Sequence, residues 1–388
     1  MRSTMWSNAT LTSYTLAAVV GTILSLVAIH RELQQNQCIR QCRHAYFNEI
    51  PKERSDVIPE EYIDTHRVAE DLAPLEEYIP VVKPFTGFHK AEIDNMRASL
   101  MEEAHSMNNM FATQKNIKRG ETIHFAETKK WSLQTETAQI PDIVFGVLPR
   151  ENSMKPAQFK SCSVVGNGGI LADSRCGRQI DSSDFVFRSN FSPVGGEFAG
   201  DVGSKTDFIT INPSVFDTYN KLINEDDQKR FLNDLAVYGK PLLYTHPFRL
   251  YGHAKVSMLA IYALKNAGRI RQVRASHPDF LLSVASFWKG RGLQELRPTT
   301  GLLLLAVSLS LCEEVTLYGF WPFSKYNGQP VNYHYFDRPT LGMREFKDKF
   351  LERELIEHGP YHNFTEEFLF LNRLHDRGVL KLQAVPCS

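Results

Sequence analysis

The chain has no excess of charge of either sign: its 388 residues carry 44 Lys and Arg against 44 Asp and Glu. A zero balance gives no reason to expect a nucleic-acid partner, so any anion must be recognised locally. The sequence also lacks an Asp-x-Asp, the kind of paired carboxylate that holds a divalent metal against a diphosphate. That absence favours a ligand with one phosphate, held by protein groups alone, and a chain with no cofactor and no metal. No two cysteines show the Cys-x-x-Cys spacing of a zinc site, and there is no internal repeat or low-complexity tract.

Long apolar runs are nearly absent as well. The exception, Leu11 to Ile29, carries no charge and approaches the roughly 20 residues that a membrane helix needs. No convincing small-x-small cleavage site follows it, so an uncleaved anchor is expected rather than a signal peptide. Residues 1–10 then form a short tail, 11–29 the transmembrane signal-anchor, and 30–82 a polar stem rich in proline and acidic residues. Residues 83–388 form one globular domain. Arg2 before the run and Arg31, Arg40 and Arg43 after it leave orientation unsettled by charge alone. Behind such a segment the domain faces an oxidising lumen. Cys162, Cys176, Cys312 and Cys387 therefore read as disulfide staples, with three pairings open. Cys38 and Cys42, beside the anchor, could link two chains into a homodimer or pair locally.

Within the domain, apolar residues at Ile93, Met96, Leu100 and Met101 recur at helical spacing between Lys90 and Phe111. Beyond them, short apolar runs ("DIVFGVL", "CSVVG", "DFVFRS", "DFITI", "PLLY", "VTLYGF") alternate with longer helical segments. That succession predicts an α/β fold, a Rossmann-like and mainly parallel sheet flanked by helices. In such sheets ligands sit beyond the carboxyl ends of the strands.

Four stretches at such positions carry chemistry. In "GNGG", Gly166, Gly168 and Gly169 would let backbone N–H groups approach an anion, and Asn167 adds an amide. Leu171 stands where a dinucleotide fingerprint needs its third glycine, and a tight structural turn is the plainer reading of this loop alone. A strand further on ends in Arg188 and Asn190. In "RPTTGLLLL", the hydroxyls of Thr299 and Thr300, with Gly301, open a buried helix whose N-terminus favours an anion. Trp321 leaves the following strand. In "NYHYFDR", His334 lies between Tyr333 and Tyr335, where an imidazolium can stabilise a departing phosphate. In "YHNFTEEF", His362 precedes a helix expected from about Thr365, and its imidazole can serve as a general base. Taken singly, each has an ordinary structural explanation: a turn, an N-cap, a packed histidine.

Together, and in this order, the four stretches resemble the sialyl motifs of eukaryotic sialyltransferases. The large motif runs from about Cys162 to Asp207, the small from about Arg297 to Trp321, the third from His334 to Asp337, and the very small from His362 to Glu367. The likeness covers roughly the last 230 residues. "CSVVGNGGIL", "CGRQID" and "GFWPF" are most similar to the α2,8-sialyltransferase subgroup. That resemblance implies the bridges Cys162–Cys312 and Cys176–Cys387. It also implies CMP-sialic acid as donor and a sialylated glycoprotein or glycolipid as acceptor. Asn167, Asn190, Thr299, Thr300, Gly301, Trp321 and Tyr335 would bind substrate, His334 would stabilise the leaving phosphate, and His362 would be the base of an inverting, metal-independent displacement. It further implies a single-pass type II protein of the Golgi membrane with a lumenal catalytic domain. Where the subgroup has Ser-Thr-Gly this chain has Thr299-Thr300-Gly301, and Ser189 stands where several members have cysteine.

Polysialylating relatives carry a strongly basic stretch before the large motif. Here Lys115 to Lys160 interleaves Lys118, Arg119, Lys129, Lys130 and Arg150 with Glu121, Glu127, Glu136, Asp142 and Glu151. Mixed charge is a poor rail for a polyanion, so mono- or oligosialylation is expected. Of the sequons, Asn8 lies in the tail, while Asn190 and Asn363 fall inside motifs and are expected to stay unmodified. Three alternatives are a sialyltransferase of another linkage, a catalytically weak glycan-binding protein of the same fold, and an oxidoreductase using "GNGG". The last would need Asp184 as its ribose-binding acid.

Overall fold

The computed structural model describes residues 81–126, 136–140, 142–293, 298–337 and 362–387, all within one unit spanning Tyr78–Ser388. The expected tail, membrane segment and nearly all of the stem, with Asn8, Cys38 and Cys42, lie outside the described residues. Among those described, no helix is long and apolar enough to cross a membrane.

Seven strands build the central sheet: β3 (Phe159–Val165), β4 (Phe185–Arg188), β5 (Phe208–Ile211), β6 (Leu242–Thr245), β7 (Val273–Ala275), β8 (Cys312–Tyr318) and β11 (Lys381–Gln383). Two small antiparallel hairpins supply β1 (Thr122–His124) with β2 (Thr137–Gln139), and β9 (Lys325–Tyr326) with β10 (Gln329–Pro330). The sheet order is β11-β8-β3-β4-β5-β6-β7, and every neighbouring pair is parallel. β4 and β5 are buried at every residue, as continuous apolar runs must be when both faces of a sheet are covered. Phe187, Phe208 and Tyr244 enter the core on one face, and Ile209, Ile211 and Leu243 the core on the other.

The helices used below are α1 (Lys90–Glu103), α2 (Gly177–Asp181), α3 (Glu225–Leu235), α4 (Tyr251–Asn266), α5 (Pro278–Gly290), α6 (Thr300–Leu311) and α7 (Phe364–Asp376). Helix α6 is apolar all round because it is buried all round: every residue from Leu302 to Leu311 is inside the core. Helix α1 buries Ile93, Met96 and Leu100 as its spacing predicts, but Met101 is 37% exposed. Arg97 takes part in that buried face instead. Its guanidinium donates to the carbonyls of Leu309 and Cys312 at 3.1 and 2.6 Å, satisfying acceptors that the end of α6 leaves open.

One expectation about elements needs correction. "DIVFGVL" is not a strand: Asp142–Phe145 is a short helix, with Val144 and Leu148 packed into a separate cluster. Its apolar residues fit helical as well as extended periodicity, and so short a run does not discriminate. Strands β7 and β11, of three residues each, carry no apolar run long enough to announce them.

Both implied disulfides are present. Cys162–Cys312 ties β3 to the first residue of β8 across 150 residues of chain, and Cys176–Cys387 ties the turn before α2 to the C-terminus across 211. Closing a loop as long as the first removes about 5 kcal/mol of denatured-state entropy in the chain-entropy account.

Just past β6, His246 is fully buried, its Nδ1 sharing a hydrogen bond with Ser276 Oγ at 3.1 Å. Burial, helped by the nearby Arg249 charge, pushes its pKa down to about 3, whereas an exposed histidine titrates near 6.5. The unfolded chain thus takes up a proton that the folded chain refuses. The stabilisation from neutral His246 is complete above pH 6.5 and is lost as pH falls towards 3. The urea midpoint of the wild-type chain is therefore expected to drop more between pH 7.5 and 4.5 than that of His246→Gln; equal drops would contradict the assignment.

Candidate active site

The strand order reverses between β3 and β8. The chain runs outward from β3 to β7, then crosses back and lays β8 on the other side of β3. A crevice forms beyond the carboxyl ends where connections diverge in this way, and the loops after β3 and β8 meet there. Gly166 N–H donates to the Tyr318 carbonyl at 2.8 Å and Gly168 N–H to that of Gly319 at 3.0 Å. A third segment joins them: Gly169 N–H donates to Tyr333 O at 3.2 Å, and Tyr335 N–H to Asn167 O at 3.1 Å. His334 is thereby placed opposite Gly168.

This geometry revises the role of the glycines. Gly168 has φ −57°, and neither Gly166 nor Gly169 is among the glycines with positive φ. Their N–H groups are spent on neighbouring carbonyls and do not cradle an anion. Glycine is needed because backbone lies where a side chain would begin. A Cβ on Gly168 would stand 2.5 Å from Gly319 O, and one on Gly169 would stand 2.0 Å from Asn332 O.

The asparagine amides at this edge keep open donors. Ser192 Oγ donates to Asn167 Oδ1 at 2.5 Å, and Asn212 N–H donates to Asn190 Oδ1 at 3.2 Å. Both carbonyl ends are thus tied back into the protein. Neither Nδ2 has a partner among the described residues, so each amide offers its two N–H donors. Asn190 sits at φ +56°, a left-handed conformation that asparagine tolerates, and its N–H is held by Thr210 Oγ1 at 2.9 Å. Arg188, at the end of β4, is spent inside the protein. It is 2% exposed, and its guanidinium donates to the Val202 and Lys205 carbonyls and to Thr206 Oγ1.

Helix α6 begins at the same edge, with Thr299 as N-cap. Its hydroxyl accepts from Leu302 N–H at 3.3 Å, and its carbonyl accepts from Leu303 N–H at 3.2 Å. That leaves the first-turn N–H groups of Thr300 and Gly301 as the dipole-positive end of the helix. The Thr299 hydroxyl proton is spent within the protein: it donates to Glu367 Oε2 at 2.6 Å, while Thr299 N–H donates to Oε1 at 2.8 Å. Glu367, 5% exposed, reaches across from the first turn of α7. Gly301 and Gly166 both press on Phe320, since Cβ atoms there would stand 2.7 and 3.3 Å from its ring. One aromatic ring therefore spaces the two ligand loops.

Two further predicted contacts, Trp321 and Tyr335, also support the fold around the site. Trp321, 6% exposed, packs edge-on against Phe323, Tyr326 and Phe368 at 5.1–5.4 Å and donates its indole N–H to Lys325 O. Tyr335, 7% exposed, donates its hydroxyl to Pro193 O, and burial pushes its pKa upward. It thereby holds the loop that carries Ser192. His334 stacks on Phe336 with centroids 4.7 Å apart, and its Nδ1 lies 3.4 Å from Asp337 Oδ1. Burial lowers its pKa, and Asp337 only partly offsets that. Burial thus disfavours the imidazolium at this position.

His362 immediately precedes Asn363, the N-cap of α7, whose Oδ1 accepts from Glu366 N–H at 3.1 Å. The clamp from Glu367 to Thr299 sets the start of this helix beside the start of α6. Asp184 excludes the oxidoreductase alternative. It precedes β4 and accepts from Ser161 N–H at 3.0 Å, at the opposite end of the strands from the crevice. Sequence reasoning gave Glu367 only a place in its helix, and it missed Asn212 and Ser192. Asn212 alone left a signal, as the first polar residue after the apolar "FITI".

The profile of glycosyltransferase family 29 (sialyltransferase) matches residues 111–379. The chain is 35% identical over 299 residues to alpha-2,8-sialyltransferase 8F of Mus musculus, covering 76% of this chain and 69% of that one. It is 35% identical over 304 residues to the alpha-N-acetylneuraminide alpha-2,8-sialyltransferase of Xenopus tropicalis, covering 77% and 81%. A crystal structure of a mammalian sialyltransferase aligns with a TM-score of 0.47 at 22% identity, over 78% of this chain and 100% of that one.

Gly168→Ala tests the close approach of the loops, because alanine adopts φ −57° without strain and only the clash with Gly319 O remains. About 1–3 kcal/mol of overpacking is expected, seen as a melting temperature lower by roughly 2–8 °C. Affinity for CMP should fall at least tenfold by calorimetry. Unchanged affinity would show that the loop spacing does not shape the pocket.

Proposed function

The chain belongs to glycosyltransferase family 29, the sialyltransferases, and on that premise we propose that it moves sialic acid from CMP-sialic acid to a sialylated glycan in α2,8 linkage. The names of its relatives support the linkage, both being alpha-2,8-sialyltransferases. The observation that carries the mechanism is the Glu367 clamp on Thr299, which brings the helix behind His362 to the helix end that would face the donor.

In this reading the two asparagine amides and the N–H groups of Thr300 and Gly301 offer only donors to a ligand that offers only acceptors, a nucleoside monophosphate ester with a carboxylate. His362 takes the proton of the acceptor hydroxyl. The freed oxygen pair attacks the anomeric carbon from the face opposite CMP, the bond from that carbon to the phosphate oxygen breaks, and configuration inverts. The departing electron pair stays on CMP. His334, whose pKa burial lowers, becomes easier to protonate as negative charge gathers beside it, and preorganised N–H groups stabilise the same charge. Protein groups do this work with no metal.

Acceptor length follows from the mixed charge before β3. Arg119 pairs with Asp142 at 3.0 Å and Lys115 lies 4.0 Å from Glu151, so these cations answer neighbours rather than a long polyanion. Mono- or oligosialylation is the product. The enzyme acts in the Golgi lumen on a glycoprotein or glycolipid, held there by the segment at 11–29.

His362→Ala in the full-length chain is expected to cut transfer to a sialylated acceptor by roughly 10²–10⁴-fold while leaving CMP affinity within about threefold. Wild-type transfer should persist in EDTA and be lost on asialo acceptors. Substantial turnover by His362→Ala would refute the base, and inhibition by EDTA would refute the metal-free mechanism.

A further inference from the structure

We propose that Asn212 is a positioning residue for the donor: its side-chain amide aims the Thr300 hydroxyl at the anion, and its backbone N–H sets the sense of the Asn190 amide. This rests on reading the crevice as a CMP-sugar pocket. Asn212 is the first residue after β5, on the connection next to the one that carries Asn190, and it touches two separate ligand loops. Its N–H donates to Asn190 Oδ1 at 3.2 Å. Its Nδ2 lies 3.0 Å from Thr300 Oγ1, and its Oδ1 lies 3.3 Å from the same oxygen, across 88 residues of chain.

The direction of that second contact matters. A threonine hydroxyl has one proton. If it donates to Asn212 Oδ1, it has only lone pairs left for a ligand and repels an anion. If instead Asn212 Nδ2–H donates to Oγ1, the hydroxyl proton is free to point at the ligand, and the two bonds polarise each other in series. The shorter distance is the one from Nδ2, and an anionic ligand selects the same direction. Asn212 thereby makes a donor of Thr300, as its backbone makes an outward-facing donor of Asn190. Both effects add to binding without Asn212 touching the ligand.

Aspartate separates this role from a purely structural one. Asn212→Asp has nearly the same shape and accepts a hydrogen bond from the Thr300 hydroxyl, so a mere tie between loops survives. It also turns the hydroxyl proton away from the ligand and brings a negative charge towards the site. CMP affinity, donor KM, kcat and melting temperature would be measured on the full-length chain at pH 7 for Asn212→Asp, Asn212→Ala, Thr300→Val, Thr300→Ser and the Asn212→Ala/Thr300→Val double variant. Asn212→Asp is expected to weaken CMP binding at least tenfold and by more than Asn212→Ala, with the loss in donor KM rather than kcat and the melting temperature within a few degrees. The double variant should bind no worse than Thr300→Val, and Thr300→Ser should recover the binding that Thr300→Val loses. Asn212→Asp binding CMP as well as wild type or better than Asn212→Ala, or additive losses in the double variant, would overturn this inference alone. Wild-type chain that does not bind CMP would overturn the pocket reading and this inference with it.

Discussion

The site depends on the contact between two backbones at the point where the strand order reverses. Gly166 and Gly168 lie so close to Tyr318 and Gly319 that their N–H groups bond directly to those carbonyls, and no Cβ fits between. Everything else in the crevice is referenced to that seam. The Tyr333–Tyr335 segment pairs against Asn167–Gly169, Phe320 sets the distance to α6, and the Cys162–Cys312 bridge holds β3 and β8 in register just below. A seam made of main chain leaves side chains free for the ligand and resists displacement, since moving either loop breaks hydrogen bonds on both.

A consistent polarity follows. The amides of Asn167 and Asn190 each have the oxygen tied to a protein donor, Asn167 to Ser192 and Asn190 to Asn212. Helix α6 adds its N-terminus. Its N-cap residue is also fastened by a buried carboxylate, Glu367, which would repel an anion if it pointed outward but has both oxygens engaged with Thr299. The site thus presents donors on every side while the acidic group that braces it is turned inward.

Much of this was legible in the residues, and the failures share a cause. Buried strands and helix α6 announced themselves as continuous apolar runs, and Thr299 as a cap, because these follow from local chemistry. Membership of the family was readable from four ordered motifs, though any single one has an ordinary structural explanation. The partner that each motif residue would find was not legible. The glycines looked like an anion cradle, and nothing local named the groups that Arg188, Trp321 and Tyr335 hold. All are engaged with segments 14 to 168 residues away in the chain or buried against them, and such distances leave no trace in local pattern. "DIVFGVL" failed for the opposite reason, being too short for its period to choose between helix and strand.

A crystal structure of the chain with CMP tests the central claim most directly. The account predicts the phosphate at the seam between the loops after β3 and β8, with its oxygens or the cytidine within hydrogen-bond distance of Asn167 Nδ2 and Asn190 Nδ2 and facing the first turn of α6. CMP seated elsewhere, such as beyond the ends of β6 and β7, with those two amides untouched, would contradict it.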